Sequence, residues 1–169
     1  MKKRENLVKA VINYLERNDL EPSKIAVQKI IYFLKEKGVE ISLEFEPFSY
    51  GPFSRELSFT ADDLSTNQEI MITRRHYKKG PEFSLDMPEE DFDKLNRLMH
   101  EFKTLINENF SFDNLELYGT VIYCFQTLKD FVDGVPTVDE VIQEVKTWKG
   151  NKFSDQIINT VYEKIRSVF

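Results

Sequence analysis

Cysteine occurs once and histidine twice in these 169 residues, so neither a disulfide scaffold nor a zinc centre built mainly from Cys and His is expected. Glycine is scarce as well, six in all, and no GxxxxGK[ST], GxGxxG or GxSxG pattern occurs. That removes phosphate-cradling loops and the nucleophile elbow from the expectations, and no cofactor is called for. No apolar run approaches the ~20 residues that a bilayer-spanning helix needs, so no membrane partner is expected. The opening Met1-Lys2-Lys3-Arg4 is basic, but Lys9, Asn13 and Glu16 interrupt the apolar residues behind it, and no signal-peptide core is read there. With a single unpaired thiol, these absences predict a cytoplasmic protein.

Aromatic residues are abundant: fourteen Phe and seven Tyr, in a chain that is 41% hydrophobic and 31% charged. This excludes a disordered polar segment, and a chain of this size can enclose a real core. The charge is unevenly divided. Residues 1–88 carry 14 Lys/Arg against 14 Asp/Glu, whereas residues 89–169 carry 9 against 15, which is the whole of the −6 net charge. Any contact with phosphates would have to come from the first half.

Periodicity predicts a mostly helical α+β fold. A winged-helix-like half over 1–88, with a small antiparallel sheet, packs on a helical bundle over 89–169 to make one unit. Leu7, Val8, Val11, Ile12 and Leu15 mark a helix over about 4–17, and Val27, Ile30, Ile31 and Leu34 another over about 23–37. Ile41, Leu43 and Phe45 alternate with polar residues, so a half-buried strand is expected over 40–46, with Pro47 limiting its continuation. Gly51-Pro52 signals a turn, and Ser54 can open a helix carrying Leu57, Ala61 and Leu64. Ile70–Ile72 and Phe83–Leu85 read as the strands of a hairpin whose tip is the basic loop Arg74–Pro81.

The second half reads as four helices. Phe92, Leu95, Met99, Phe102 and Ile106 follow an acidic first turn, which suits the positive end of a helix dipole. Asp113 is expected to cap a helix with Leu117, Val121, Ile122, Phe125 and Leu128. Thr137 with Glu140 forms a capping box for the third, and Ser154 caps the last.

Few residues suggest chemistry. Cys124 lies between Tyr123 and Phe125 on an apolar helix and reads as a buried thiol. His100 flanks a helix stripe, and His76 sits in the basic loop, solvated. Asp62-Asp63, Glu89-Glu90-Asp91 and Asp139-Glu140 are explained by solvated faces or helix dipoles, and no metal ligand set is expected. One patch has a functional shape: Arg74, Arg75, Lys78 and Lys79 around an aromatic, placed to grip a phosphate backbone as wings do. Against this, the helix that would enter the groove offers Glu56, Asp62 and Asp63. The simpler reading is a soluble loop whose charges deter edge pairing.

Residues 25–64 resemble a known pattern. Val27-Gln28-Lys29-Ile30-Ile31-Tyr32-Phe33-Leu34 resembles the LQKLLYFL helix of the Panacea family of SocA-like antitoxins and of the related YwgA-like uncharacterised proteins. In these a short strand and an aromatic–Gly–Pro turn lead into a helix with S..L..DL. Here Phe48-Ser49-Tyr50-Gly51-Pro52-Phe53-Ser54-Arg55-Glu56-Leu57, then Asp63-Leu64, stand in those places. Val141–Lys149 and Phe153–Ile165 look like the helical tail of the YwgA-like branch. Val27 replaces the usual Leu, and Asn67-Gln68-Glu69 stands where a Gly often precedes the next strand.

The resemblance implies a non-catalytic protein-interaction module, antitoxin-like or adaptor-like, whose partner is a protein and in the antitoxin case a toxin. Phe48, Tyr50, Gly51, Pro52, Phe53 and Arg55 are the partner-binding residues on that reading, and they act by occluding the partner. Tyr32, Phe33, Phe48, Tyr50 and Phe53 are many aromatics for one small core, and some suit a docking groove. The other explanation is a Phe-rich core with Tyr hydroxyls at its rim. The alternative function is a winged-helix DNA-binding transcription regulator using Arg74, Arg75, Lys78 and Lys79. An enzyme would need His100, Cys124 and an acidic residue to share a cleft.

Overall fold

In the computed structural model, which describes residues 2–169, the first two apolar stripes become helices α1 (Lys2–Arg17) and α2 (Lys24–Glu36). Leu7, Val8, Val11, Ile12 and Leu15 of α1 lie in the core with Val27, Ile30, Ile31 and Leu34 of α2, as helical spacing requires. The Ser23 hydroxyl caps α2 by accepting from the Ala26 N–H.

The alternating stretch that follows does not form the expected strand over 40–46. It runs as irregular chain with Leu43 buried. Side chains take up its backbone polar groups instead of a neighbouring strand. The Arg4 guanidinium and the Lys35 amine donate to the carbonyls of Ser42 and Leu43, and the Glu56 carboxylate accepts from the Glu44 N–H at 2.9 Å.

Pairing starts where Pro47 was expected to end it. β1 (Glu46–Phe48) pairs antiparallel with β2 (Gly51–Phe53) across the two-residue turn Ser49-Tyr50. The register explains how two prolines fit in one ladder. Phe48 faces Gly51 beside the turn, and Pro47 faces Pro52 one step further out. Hydrogen-bonded and non-bonded pairs alternate along an antiparallel ladder, and the pair closing a two-residue turn is bonded. The prolines therefore occupy the position that needs no N–H.

Helix α3 (Arg55–Thr66) follows, capped by the Ser54 hydroxyl and burying Leu57, Ala61 and Leu64. The second hairpin is tighter than its sequence suggested. β3 (Ile70–Ile72) pairs with β4 (Tyr77–Lys79), not with Phe83–Leu85, which is half-buried irregular chain. The turn is closed at Thr73, whose hydroxyl accepts from the His76 N–H at 3.1 Å. Lys78 and Lys79 are thus strand residues and only Arg74 and Arg75 of the four cations stand at the tip. Two backbone bonds, Lys24 N–H to Arg75 O and Tyr77 N–H to Pro22 O, both 2.8 Å, dock this hairpin on the start of α2. The two hairpins stay separate two-stranded sheets and do not merge into the one small sheet expected.

The remaining chain forms α4 (Glu89–Leu105), α5 (Phe112–Phe131), α6 (Val138–Lys149) and α7 (Asp155–Ile165). The Thr137–Glu140 capping box and the Ser154 cap are present. The cap of α5 is Ser111, not Asp113: its hydroxyl accepts from the Asn114 N–H. Helix α5 is apolar over much of its circumference, burying Leu115, Tyr118, Val121, Ile122 and Phe125, because α2, β2, α6 and α7 all pack on it. It joins both halves of the chain in one core. The described residues make a mostly helical α+β fold, seven helices with two two-stranded antiparallel sheets. Among them no helix is long and apolar enough to cross a membrane.

Candidate functional site

Hairpin β1–β2 is fastened to the helices by polar side chains that read its backbone. The Gln28 side chain exchanges two bonds with Ser54: its Nε2 donates to Ser54 O at 3.0 Å, and Ser54 N–H donates to Oε1 at 2.9 Å. The next residue, Lys29, donates from Nζ to Pro52 O at 2.7 Å. Two glycines make room for that lysine. A Cβ on Gly51, whose φ is +100°, would stand 3.1 Å from Lys29 Cε, and one on Gly119 of α5 would stand 2.8 Å from Lys29 Cδ.

A charge cluster lies beneath the hairpin. Glu116 of α5 is fully buried; its Oε1 accepts from Lys152 Nζ at 2.7 Å, and its Oε2 is 3.1 Å from Lys149 Nζ. Lys149 also donates to Ser49 O at 2.6 Å, tying the end of α6 to the hairpin turn. The contact of Lys149 with Glu116 is an ion pair without an aligned hydrogen bond. Lys29 thus feels one further cation, Lys149, and one carboxylate, Glu116. Burial first and the Lys149 charge second lower its amine to about 7, with Glu116 opposing both.

Outside this clamp the hairpin presents aromatic side chains. Phe48, Tyr50 and Phe112 are 47%, 53% and 45% exposed. Tyr50 meets the Phe112 ring edge-on at 4.8 Å, and Phe48 stacks on Phe53 at 5.4 Å. They rim a cavity of about 250 Å³ whose other walls include Ile25, Gln28, Lys29 and Tyr77. Tyr50 and Phe112 also wall an adjoining open groove of about 680 Å³, together with Lys24, Arg74 and Arg75. The clamp ties the hairpin backbone to α2 and α6, which limits the ordering that binding there would cost.

The two sets of residues singled out in the sequence therefore partly converge. Phe48 and Tyr50 face outward, Phe53 is half-buried against Phe48, Gly51 and Pro52 are buried and act through backbone, and Arg55 is exposed at the start of α3. Arg74 and Arg75 share the groove with Tyr50. Lys78 and Lys79 line a different depression, beside Glu16 and Glu21. Lys79 donates to Asn13 Oδ1 at 2.8 Å and lies 3.6 Å from Glu16, so it is a bridge to α1. His76 is not freely solvated: its Nε2 is 2.9 Å from Glu21 Oε2.

Lys29, Phe112, Glu116, Lys149 and Lys152 were not singled out in the sequence. Lys29 did carry a signal, as a charge inside the otherwise apolar run Val27–Leu34, every position of which is buried. Cys124 is buried, and burial with the nearby Glu144 charge pushes its thiol up to about 12, with Lys149 opposing. His100 is exposed on α4. Among the described residues no group of three or more His, Cys, Asp or Glu is arranged to hold a metal ion. Comparison with protein-family models gives no match, and comparison with curated proteins gives none.

Proposed function

We propose that the chain is a non-catalytic protein-interaction module, in an antitoxin-like or adaptor role, that binds a protein partner at the first-hairpin face and occludes it. The observation that carries this reading is the trio of exposed aromatics, Phe48, Tyr50 and Phe112, gathered around one apolar cavity. Single exposed apolar residues need no explanation, but a cluster rimming a cavity is the usual make-up of an interface centre. A hairpin tied in this way loses less conformational entropy on docking, and a partner seated on it is covered there. The resemblance to the Panacea pattern supports the same reading, since its Gln28-Lys29 pair is what clamps the hairpin. A cytoplasmic setting belongs to it.

The test is affinity capture with Tyr50→Ala and Phe53→Ala proteins that keep the wild-type melting temperature. Loss of the partner is expected; retention of every partner by the folded variants overturns the proposal. The exposed Arg74 and Arg75 support a second reading, a DNA-binding regulator. Duplex binding with steep salt dependence, abolished when Arg74, Arg75, Lys78 and Lys79 are neutralised, would favour that one.

A further inference from the structure

We propose that the first-hairpin face also receives a second copy of this chain, through the exposed acidic C-terminal end of α5 and the loop that follows it, so that self-association and partner binding compete for one surface. This rests on the interaction reading above and adds an occupant that the chain itself supplies.

The loop has the chemistry the face lacks. Among the described residues Phe131 is the most exposed large apolar side chain, at 84%, and Val135 beside it is also exposed. Asp130 and Asp133 flank Phe131 and Val132. The loop is tied to α7 at its base, where Tyr162 Oη donates to Pro136 O at 2.5 Å, and residues 131–135 ahead of that tie are exposed. An apolar ring carried between two carboxylates is thus presented to solvent where α5 ends.

The receiving face is complementary. Its cavity of about 250 Å³ has room for a single large apolar side chain, and Lys24, Arg74 and Arg75 stand along the adjoining groove. The groove also meets the first residues of two helices, Lys24 of α2 and Phe112 of α5, whose dipoles add positive potential there. Two carboxylates face the same region. Glu21 is held 2.9 Å from His76, and Asp113 lies at the start of α5, near Lys152. In a chain of net charge −6 the groove is lined by Lys24, Arg74 and Arg75 against Glu21, a surplus of positive charge that favours an acidic segment over a basic one.

The contact must be between molecules. Phe112 and Phe131 are the two ends of α5, and twenty helical residues put them about 30 Å apart, beyond reach of a short loop. The pairing makes a dimer if two copies engage reciprocally and a chain if they do not. One loop in one groove is a small interface of the weak class, so association is expected only at high protein concentration.

The experiment is sedimentation equilibrium of the full chain from about 10 μM to about 1 mM, reaching the high concentrations that a weak interface needs. The average mass is expected to rise with concentration, and less so at high salt. Phe131→Ser and Tyr50→Ala should each weaken association about tenfold or more, and both sites are exposed enough for the variants to fold. An equimolar mixture of the two variants should recover association, because each retains one intact half of the contact. Wild-type protein that stays at monomer mass throughout, or association that survives both substitutions, overturns self-docking. If partner capture is nevertheless lost in Tyr50→Ala and kept in Phe131→Ser, the interaction reading stands and the face belongs to a foreign partner.

Discussion

Lys29 and Glu116 set the electrostatics under the hairpin, and each has a measurable consequence. Lys29 is held near 7 in the folded chain by burial first and Lys149 second, whereas an exposed lysine titrates near ~10.4. Below about 7 both states carry the proton and the buried charge costs stability. As pH rises from about 7 to ~10.4 the folded state releases it while the unfolded state keeps it, so folding stability rises. The slope is at most about 1.4 kcal/mol per pH unit. Cys124, pushed up to about 12, works the other way, but only above the ~8.5 where an exposed thiol ionises. Urea unfolding between pH 7 and 8.5 should therefore show stability rising with pH, and Lys29→Met should flatten that slope.

Glu116→Gln takes the carboxylate from Lys149, whose side chain is almost fully covered, and from the exposed Lys152. A loss on the order of 1–3 kcal/mol in urea unfolding is expected, most of it from Lys149. Lys29 was visible in the sequence as a charge within an apolar stripe. Its partner, Pro52 O, lies in another element, and nothing local to Lys29 points to it.

The helices were legible because a 3.6-residue period repeats three or more times within each. Of the strands only β3 was legible, as the short apolar run Ile70–Ile72; β1, β2 and β4 were not, because each is three residues long and no period can establish itself. The misleading alternation of Ile41, Leu43 and Phe45 has the form of a strand, but Arg4, Lys35 and Glu56 supply its backbone partners. For α5, Ser111 and Asp113 are both good capping residues two positions apart, and Ser111 is the one whose hydroxyl meets an N–H three residues on. The packing of α5 on β2 can be tested at Gly119. Alanine in an exposed helix gains up to about 1 kcal/mol over glycine. Here the added Cβ would meet Lys29 Cδ at 2.8 Å and Pro52 Cδ at 3.3 Å. Gly119→Ala should therefore lower the melting temperature, at a cost of about 1–3 kcal/mol for overpacking. A melting temperature above wild type would show that the hairpin is not pressed on α5.

At the scale of the molecule, one core runs through both halves of the chain, with α5 at its centre. The chain should unfold in a single transition by near- and far-ultraviolet circular dichroism, and Phe125→Ala, deep in α5, should cost about 3–5 kcal/mol without splitting it. The charge division was legible from composition, since an acidic second half and a neutral first half can be counted. The site was only half legible. Phe48 and Tyr50 announced themselves by clustering at one turn, but their neighbours Phe112 and Arg74 come from elements that only the fold brings near.

The interaction face is tested most directly by isotope-labelled affinity capture, comparing wild type with a Tyr50→Ala/Phe112→Ala protein of matched melting temperature. An aromatic anchor at an interface centre is worth about 2 kcal/mol or more, so affinity for the partner should fall at least about thirtyfold even where the two touching rings act as one anchor. An unchanged ratio for every captured protein, from a variant shown to be folded, would contradict the docking role of this face.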